Sequence, residues 1–133
     1  MKRDMDLIRN ILLEIEGGKR VFSTLSSEGA ENLMVDIEEP MTREESETLI
    51  GHLILMESAG LIEFGFRALG GNIEIKAISW QGYDFLENVR DPDVWEKTKS
   101  AATKVGSFSI EILVGLAKAA IKEKVKALTG LDI

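Results

Sequence analysis

The chain has a single histidine, His52, and no cysteine, so two of the side-chain types that most often carry nucleophilic or metal chemistry are almost missing. A catalytic triad around His52 would need a nucleophile and an orienting acid beside it, and the spacing offers neither. One imidazole plus carboxylates is a poor basis for a zinc site, so no metal and no cofactor is expected. Carboxylates cluster at Asp4/Asp6, Glu38/Glu39 and Glu44/Glu45/Glu47. Acid–base catalysis by a carboxyl pair requires environments that push the two pKa values apart. These acids lie in polar stretches and read as solvated surface and as helix-start charge favoured by the helix dipole. Gly70-Gly71 lacks the Walker and dinucleotide spacings and reads as a turn. The residues therefore point away from an enzyme.

Charge is the stronger signal. The net charge is −7, and residues 1–90 carry nine Lys/Arg against seventeen Asp/Glu. Residues 91–133 are close to neutral, so the front of the chain holds the acidity. A generally basic nucleic-acid surface is not supported, which leaves only a local basic patch for that role. Lys2, Arg3, Arg9, Lys19, Arg20, Arg67 and Lys76 are the cations available for phosphate, and Glu63 and Glu74 lie near the last two in sequence.

The elements that must position these groups follow from periodicity and caps. Met5, Ile8, Leu12 and Ile15 recur at spacings of three and four, which predicts a helix over 4–16, with Leu7 and Ile11 widening its stripe. Asp4 is its expected N-cap and Gly17-Gly18 its end. Residues 19–33 read as loop, and Met34 to Glu38 alternates like a short edge strand. Thr42 with Glu45 forms a capping box and opens a helix running to about Ala59, stopped by Gly60. Leu49, Leu53 and Met56 are its core stripe, and His52 falls to the side with Glu44 and Thr48.

Leu61–Arg67 and Ile73–Ser79 predict a hairpin. Ile62, Phe64 and Phe66 are expected inward on one strand, and Ile73, Ile75 and Ala77 on the other. Ser79 caps a helix over 80–89, Asp91-Pro92 restarts one containing Trp95, and Gly106 breaks it. A last helix, about Ser109 to Leu128, would present Ile110, Val114, Ala117, Ile121, Val125 and Leu128 on one face. Phe85 and one or both of Trp80 and Trp95 read as core anchors rather than a binding cluster.

The order helix, strand, capped helix, hairpin, helix gives an α+β, winged-helix-like core over 1–90, with a helical extension over 91–133. A separate helix between the first and the capped one is not legible in residues 22–33. The apolar share is 44%, enough for one buried core. No secretory h-region forms near the start, and no segment approaches the ~18 uncharged apolar residues of a membrane span. These features fit a cytoplasmic protein.

The chain resembles the family called domain of unknown function 2513. The resemblance rests on the opening Met1-Lys2-Arg3-Asp4-Met5-Asp6-Leu7-Ile8-Arg9 followed by Ile11-Leu12-Leu13. It continues through His52-Leu53 and Ala59-Gly60-Leu61-Ile62-Glu63, then Trp80, Gly82, Asp84-Phe85-Leu86, Arg90-Asp91 and Trp95-Glu96-Lys97. It implies a winged-helix-like core and a frequent home in phages, prophages and mobile elements, and carries no established activity.

Two functions remain open from the residues. One is a non-enzymatic interaction module or inhibitor that binds a basic protein partner through an acidic face around Glu44, Glu47, Thr48 and His52. An acidic mimic of nucleic acid aimed at host transcription, replication or defence is one form of it. The other is a winged-helix DNA-binding regulator using Arg43, Thr48, His52, Arg67 and Lys76, as a homodimer through the last helix. For His52 the plainer reading is a surface or boundary histidine making one hydrogen bond.

Overall fold

The computed structural model describes residues 1–34, 40–68 and 71–133. Among these residues there are six helices and one three-stranded antiparallel sheet. The chain forms two compact units, Met1–Gly82 and Tyr83–Ile133. The boundary between them falls within the helix Trp80–Val89.

In the first unit, helix α1 (Met5–Glu16) starts as expected: Asp4 Oδ1 accepts the N–H groups of Asp6 at 2.9 Å and Leu7 at 3.3 Å. It ends with Gly18 at positive φ, where the N–H of Gly18 reaches the Ile15 carbonyl and that of Lys19 the Glu14 carbonyl. Met5, Ile8, Ile11, Leu12 and Ile15 are buried, so the predicted stripe is the core face.

Next come strand β1 (Val21–Ser23) and helix α2 (Ser27–Leu33). Both correct the expectation of a loop over 19–33. Strand β1 has three residues and sends only Phe22 inward, opposite Ile73. Helix α2 is seven residues long and buries only Ala30, so it shows no apolar stripe. Its start rests on Ser26, whose hydroxyl accepts the Gly29 N–H at 3.0 Å. The edge strand expected over Met34 to Glu38 falls, beyond Met34 itself, outside the described residues; Met34 ends α2 at φ 55°.

Helix α3 (Arg43–Ser58) begins at Thr42, whose Oγ1 accepts the Glu45 N–H at 3.1 Å. Gly60, at φ 74°, closes it with Gly60 N–H on Glu57 O and Leu61 N–H on Met56 O. Ser46, His52, Leu53 and Met56 are its buried residues.

Strands β2 (Ile62–Arg67) and β3 (Asn72–Ile78) form the hairpin, and β3 lies between β1 and β2. The order α1-β1-α2-α3-β2-β3 is that of a winged helix, with the hairpin as the wing. Its register slips twice. Between Glu63↔Ala77 and Phe64↔Ile75 an extra residue, Lys76, sits on β3, and between Phe64↔Ile75 and Arg67↔Ile73 two residues of β2 face one of β3. Each bulge inverts the alternation. Ile78 is therefore buried while Ala77 is only half-buried, and Phe66, expected inward, is 63% exposed.

Helix α4 (Trp80–Val89) opens at Ser79, whose Oγ accepts the Gly82 N–H at 2.9 Å. Trp80, its first residue, is exposed, and Phe85, Leu86 and Val89 are buried.

In the second unit, helix α5 (Pro92–Val105) packs on helix α6 (Ile110–Thr129). Asp91 caps α5 by accepting the Val94 N–H at 3.0 Å and also holds Lys124 of α6 at 2.9 Å. The Lys124 ammonium and that N–H hold the Asp91 carboxyl below the usual carboxylate range, and Lys124 is raised in return. Trp95 is buried on α5. On α6 the buried line is Leu113, Ala117 and Ala120. Of the face expected from the sequence only Ala117 is buried; Ile110, Val114, Ile121 and Val125 are half-buried and Leu128 is exposed. Apolar residues spread over more than half of this helix, so the pattern did not mark which line faces α5. Among the described residues no helix is long and apolar enough to cross a membrane.

Candidate functional site

In a winged helix, α3 and the hairpin are the parts usually presented to a partner. Glu44, Glu45 and Glu47 stand exposed in the first turns of α3. Arg43, exposed in the same turn, is paired to Glu47, Nε to Oε1 at 3.3 Å. Spaced four apart along one helix face, these two residues form a surface ion pair worth roughly 0.3–0.5 kcal/mol. No ion pair holds Glu44 or Glu45 among the described residues.

Glu44 and Thr48, one turn apart, line a cleft of about 400 Å³ together with Glu45, Leu49, Leu7 of α1 and Met41. Leu7, Met41, Thr48 and Leu49 are each half-buried, so apolar surface forms much of the cleft while the two carboxylates stand in water. Of the four residues proposed for partner contact, the structure thus gathers Glu44 and Thr48, and places Glu47 outside the cleft with Arg43.

The fourth, His52, is corrected. It is fully buried, at 0% exposure, and bridges two helices. Its Nε2 accepts the backbone N–H of Asp4 at 2.8 Å, and Nδ1 lies 2.7 Å from the Thr48 carbonyl. An Nε2 that accepts leaves the proton on Nδ1, which donates to Thr48. His52 is a strut between the start of α1 and the middle of α3, with its ring buried rather than on the surface. Periodicity missed it because the Asp4 N–H that requires an acceptor lies 48 positions away in sequence.

The wing cations do not gather with the acidic start of α3. Arg67 pairs across from Ile73 towards the hairpin tip. Lys76 lies in the bulge further down, in another cleft of about 610 Å³ whose lining includes Glu57 and Glu63. Glu57 Oε2 accepts the Phe64 N–H at 2.9 Å and so covers part of β2. Lys19 is held by Glu14 at 3.2 Å and lies over the Phe22 ring at 4.6 Å. Arg43, Arg67 and Lys76 therefore make no continuous basic patch. The whole net charge of −7 comes from the first unit, because residues 83–133 carry as many acids as cations. Among the described residues no three His, Asp or Glu side chains are grouped to hold a metal ion.

Fold and site together define an α+β, winged-helix-like protein with an acidic start to its third helix. The chain belongs to the family described as hypothetical protein DUF2513, whose model matches residues 2–109. It is also similar to an uncharacterized protein of Haemophilus influenzae strain Rd, 32% identical over 114 residues that span 84% of this chain and 85% of that protein. No solved structure matches it.

Proposed function

We propose that this protein is a non-enzymatic interaction module that binds a basic protein partner through the start of α3. The observation that carries this reading is the two exposed carboxylates, Glu44 and Glu45, which no ion pair holds among the described residues, next to an arginine that pairs with Glu47. A phosphate brought within about 5 Å of any one of these carboxylates is repelled by roughly 0.8 kcal/mol in water before salt screening. A Lys- or Arg-rich protein surface is attracted by the same amount per pair. In a phage or prophage setting, an acidic surface occupying the nucleic-acid site of a host protein is one form this takes. The test is affinity capture with the wild-type protein and with the E44K/E47K double variant, followed by titration of each purified captured protein. A basic protein bound by wild type and lost on charge reversal is expected. Partners retained equally by both variants refute the reading.

A second reading, a DNA-binding regulator, is favoured by the element order and by Arg67 standing exposed on the wing. It would work as a homodimer, with the half-buried flank of α6 at Ile110, Val114, Ile121 and Val125 as the seam. Light scattering after size exclusion tests that seam: V114E and I121E are expected to leave only monomer.

A further inference from the structure

We propose that the cleft between α1 and α3 receives a short linear peptide segment, which inserts one aliphatic or aromatic side chain against Leu7, Met41 and Leu49 while a flanking Lys or Arg meets Glu44 and Glu45. This rests on the acidic-face reading above and narrows it to one cleft and one partner chemistry. The floor supplies the first half of the recognition. Three half-buried apolar side chains, from α1, the lead-in to α3 and α3 itself, meet around about 400 Å³ of space. Pockets for small ligands begin at about 300 Å³, so this one is large enough for a side chain or two.

The rim supplies the second half. Glu44 and Glu45 are exposed, and no ion pair holds either among the described residues. Among the described residues no lining residue is a cation, so charge complementarity selects a basic segment over a phosphate or an acidic peptide. Thr48 lies between floor and rim, one turn from Glu44, where a larger side chain would fill the space.

The test is selection of a random dodecapeptide display library on the full chain, with the selected peptides synthesised and titrated by fluorescence polarisation. Selected peptides are expected to carry Leu, Ile, Met or Phe beside Lys or Arg. Their affinity is expected to fall at least tenfold on T48W, and again on E44Q/E45Q. The methyl signals of Leu7, Met41 and Leu49 in the wild-type protein should shift on titration, which decides the matter even where T48W folds poorly. Failure to select any peptide overturns the proposal, as do peptides indifferent to both variants. Self-association of the wild type that T48W removes would make the occupant a second copy and also overturn it. Basic peptides with no apolar residue, weakened by E44K/E47K but not by T48W, would overturn the cleft and leave the acidic-face reading standing.

Discussion

Substituting Gly82 with alanine should damage this fold more than any other glycine-to-alanine change in a helix. Gly82 is in the first turn of α4, above the end of α3 and the start of β2. A Cβ there would lie 2.1 Å from the carbonyl oxygen of Leu61, 3.0 Å from its carbonyl carbon and 2.7 Å from Cγ2 of Ile78. Two of these atoms are backbone, so the helix turn must lift by more than 1 Å to restore van der Waals contact. That same Leu61 oxygen accepts the Ser79 N–H at 3.0 Å, and Ser79 Oγ donates to the Gly60 carbonyl. Lifting the turn therefore also breaks the bonds that dock it. Overpacking costs about 1–3 kcal/mol, and losing a hydrogen bond at this partly exposed turn about 0.5–1.5 more. The better helix propensity of alanine returns up to about 1 kcal/mol. A net loss of about 2 kcal/mol follows. With a urea m-value of about 2 kcal/mol/M, the unfolding midpoint followed by far-UV circular dichroism should fall by about 1 M. A midpoint equal to or above that of wild type would refute the close approach on which this rests.

Further predictions draw on the same geometry. Gly115 of α6 has nothing within 4 Å of its ideal Cβ, so G115A should stabilise by about 0.5–1 kcal/mol, read as a raised urea midpoint. H52L leaves the Asp4 N–H without its acceptor and should destabilise by about 1–3 kcal/mol. Amide hydrogen exchange at Asp4 should accelerate in that variant, and unchanged protection there would rule out the strut. The Asp91 carboxyl is depressed in the folded state, chiefly by Lys124, so its stabilising contribution is present above the ordinary Asp range and is lost as pH falls through and below that range. D91A should accordingly flatten the acid side of the melting-temperature profile relative to wild type. Parallel acid profiles would contradict that clamp.

The sequence showed those elements whose signals are local. Asp4, Thr42, Ser79 and Asp91 are caps, Gly60 and Gly106 are stops, and each acts within a few residues of where it stands. What escaped depends on distant contacts. Helix α2 is short and buries one alanine, so nothing periodic marks it, and β1 has only Phe22 to show. Phe66 turns outward because of a bulge that alternation does not encode. Gly82 read only as part of a resemblance, although its role is a backbone approach to Leu61. At the candidate site, Glu44 and Thr48 were legible from helical spacing, whereas Leu7 and Met41 join them through tertiary packing.

The central claim is that the start of α3 is an acidic protein-binding surface. Titration of the purified protein against labelled mixed-sequence duplex DNA, at low and at moderate salt, tests it most directly. The account predicts no binding at either salt concentration, because Arg43 is paired with Glu47 among further acids and Arg67 and Lys76 form no patch with it. Salt-sensitive binding that disappears on R67E/K76E would contradict it and establish the wing as a nucleic-acid contact.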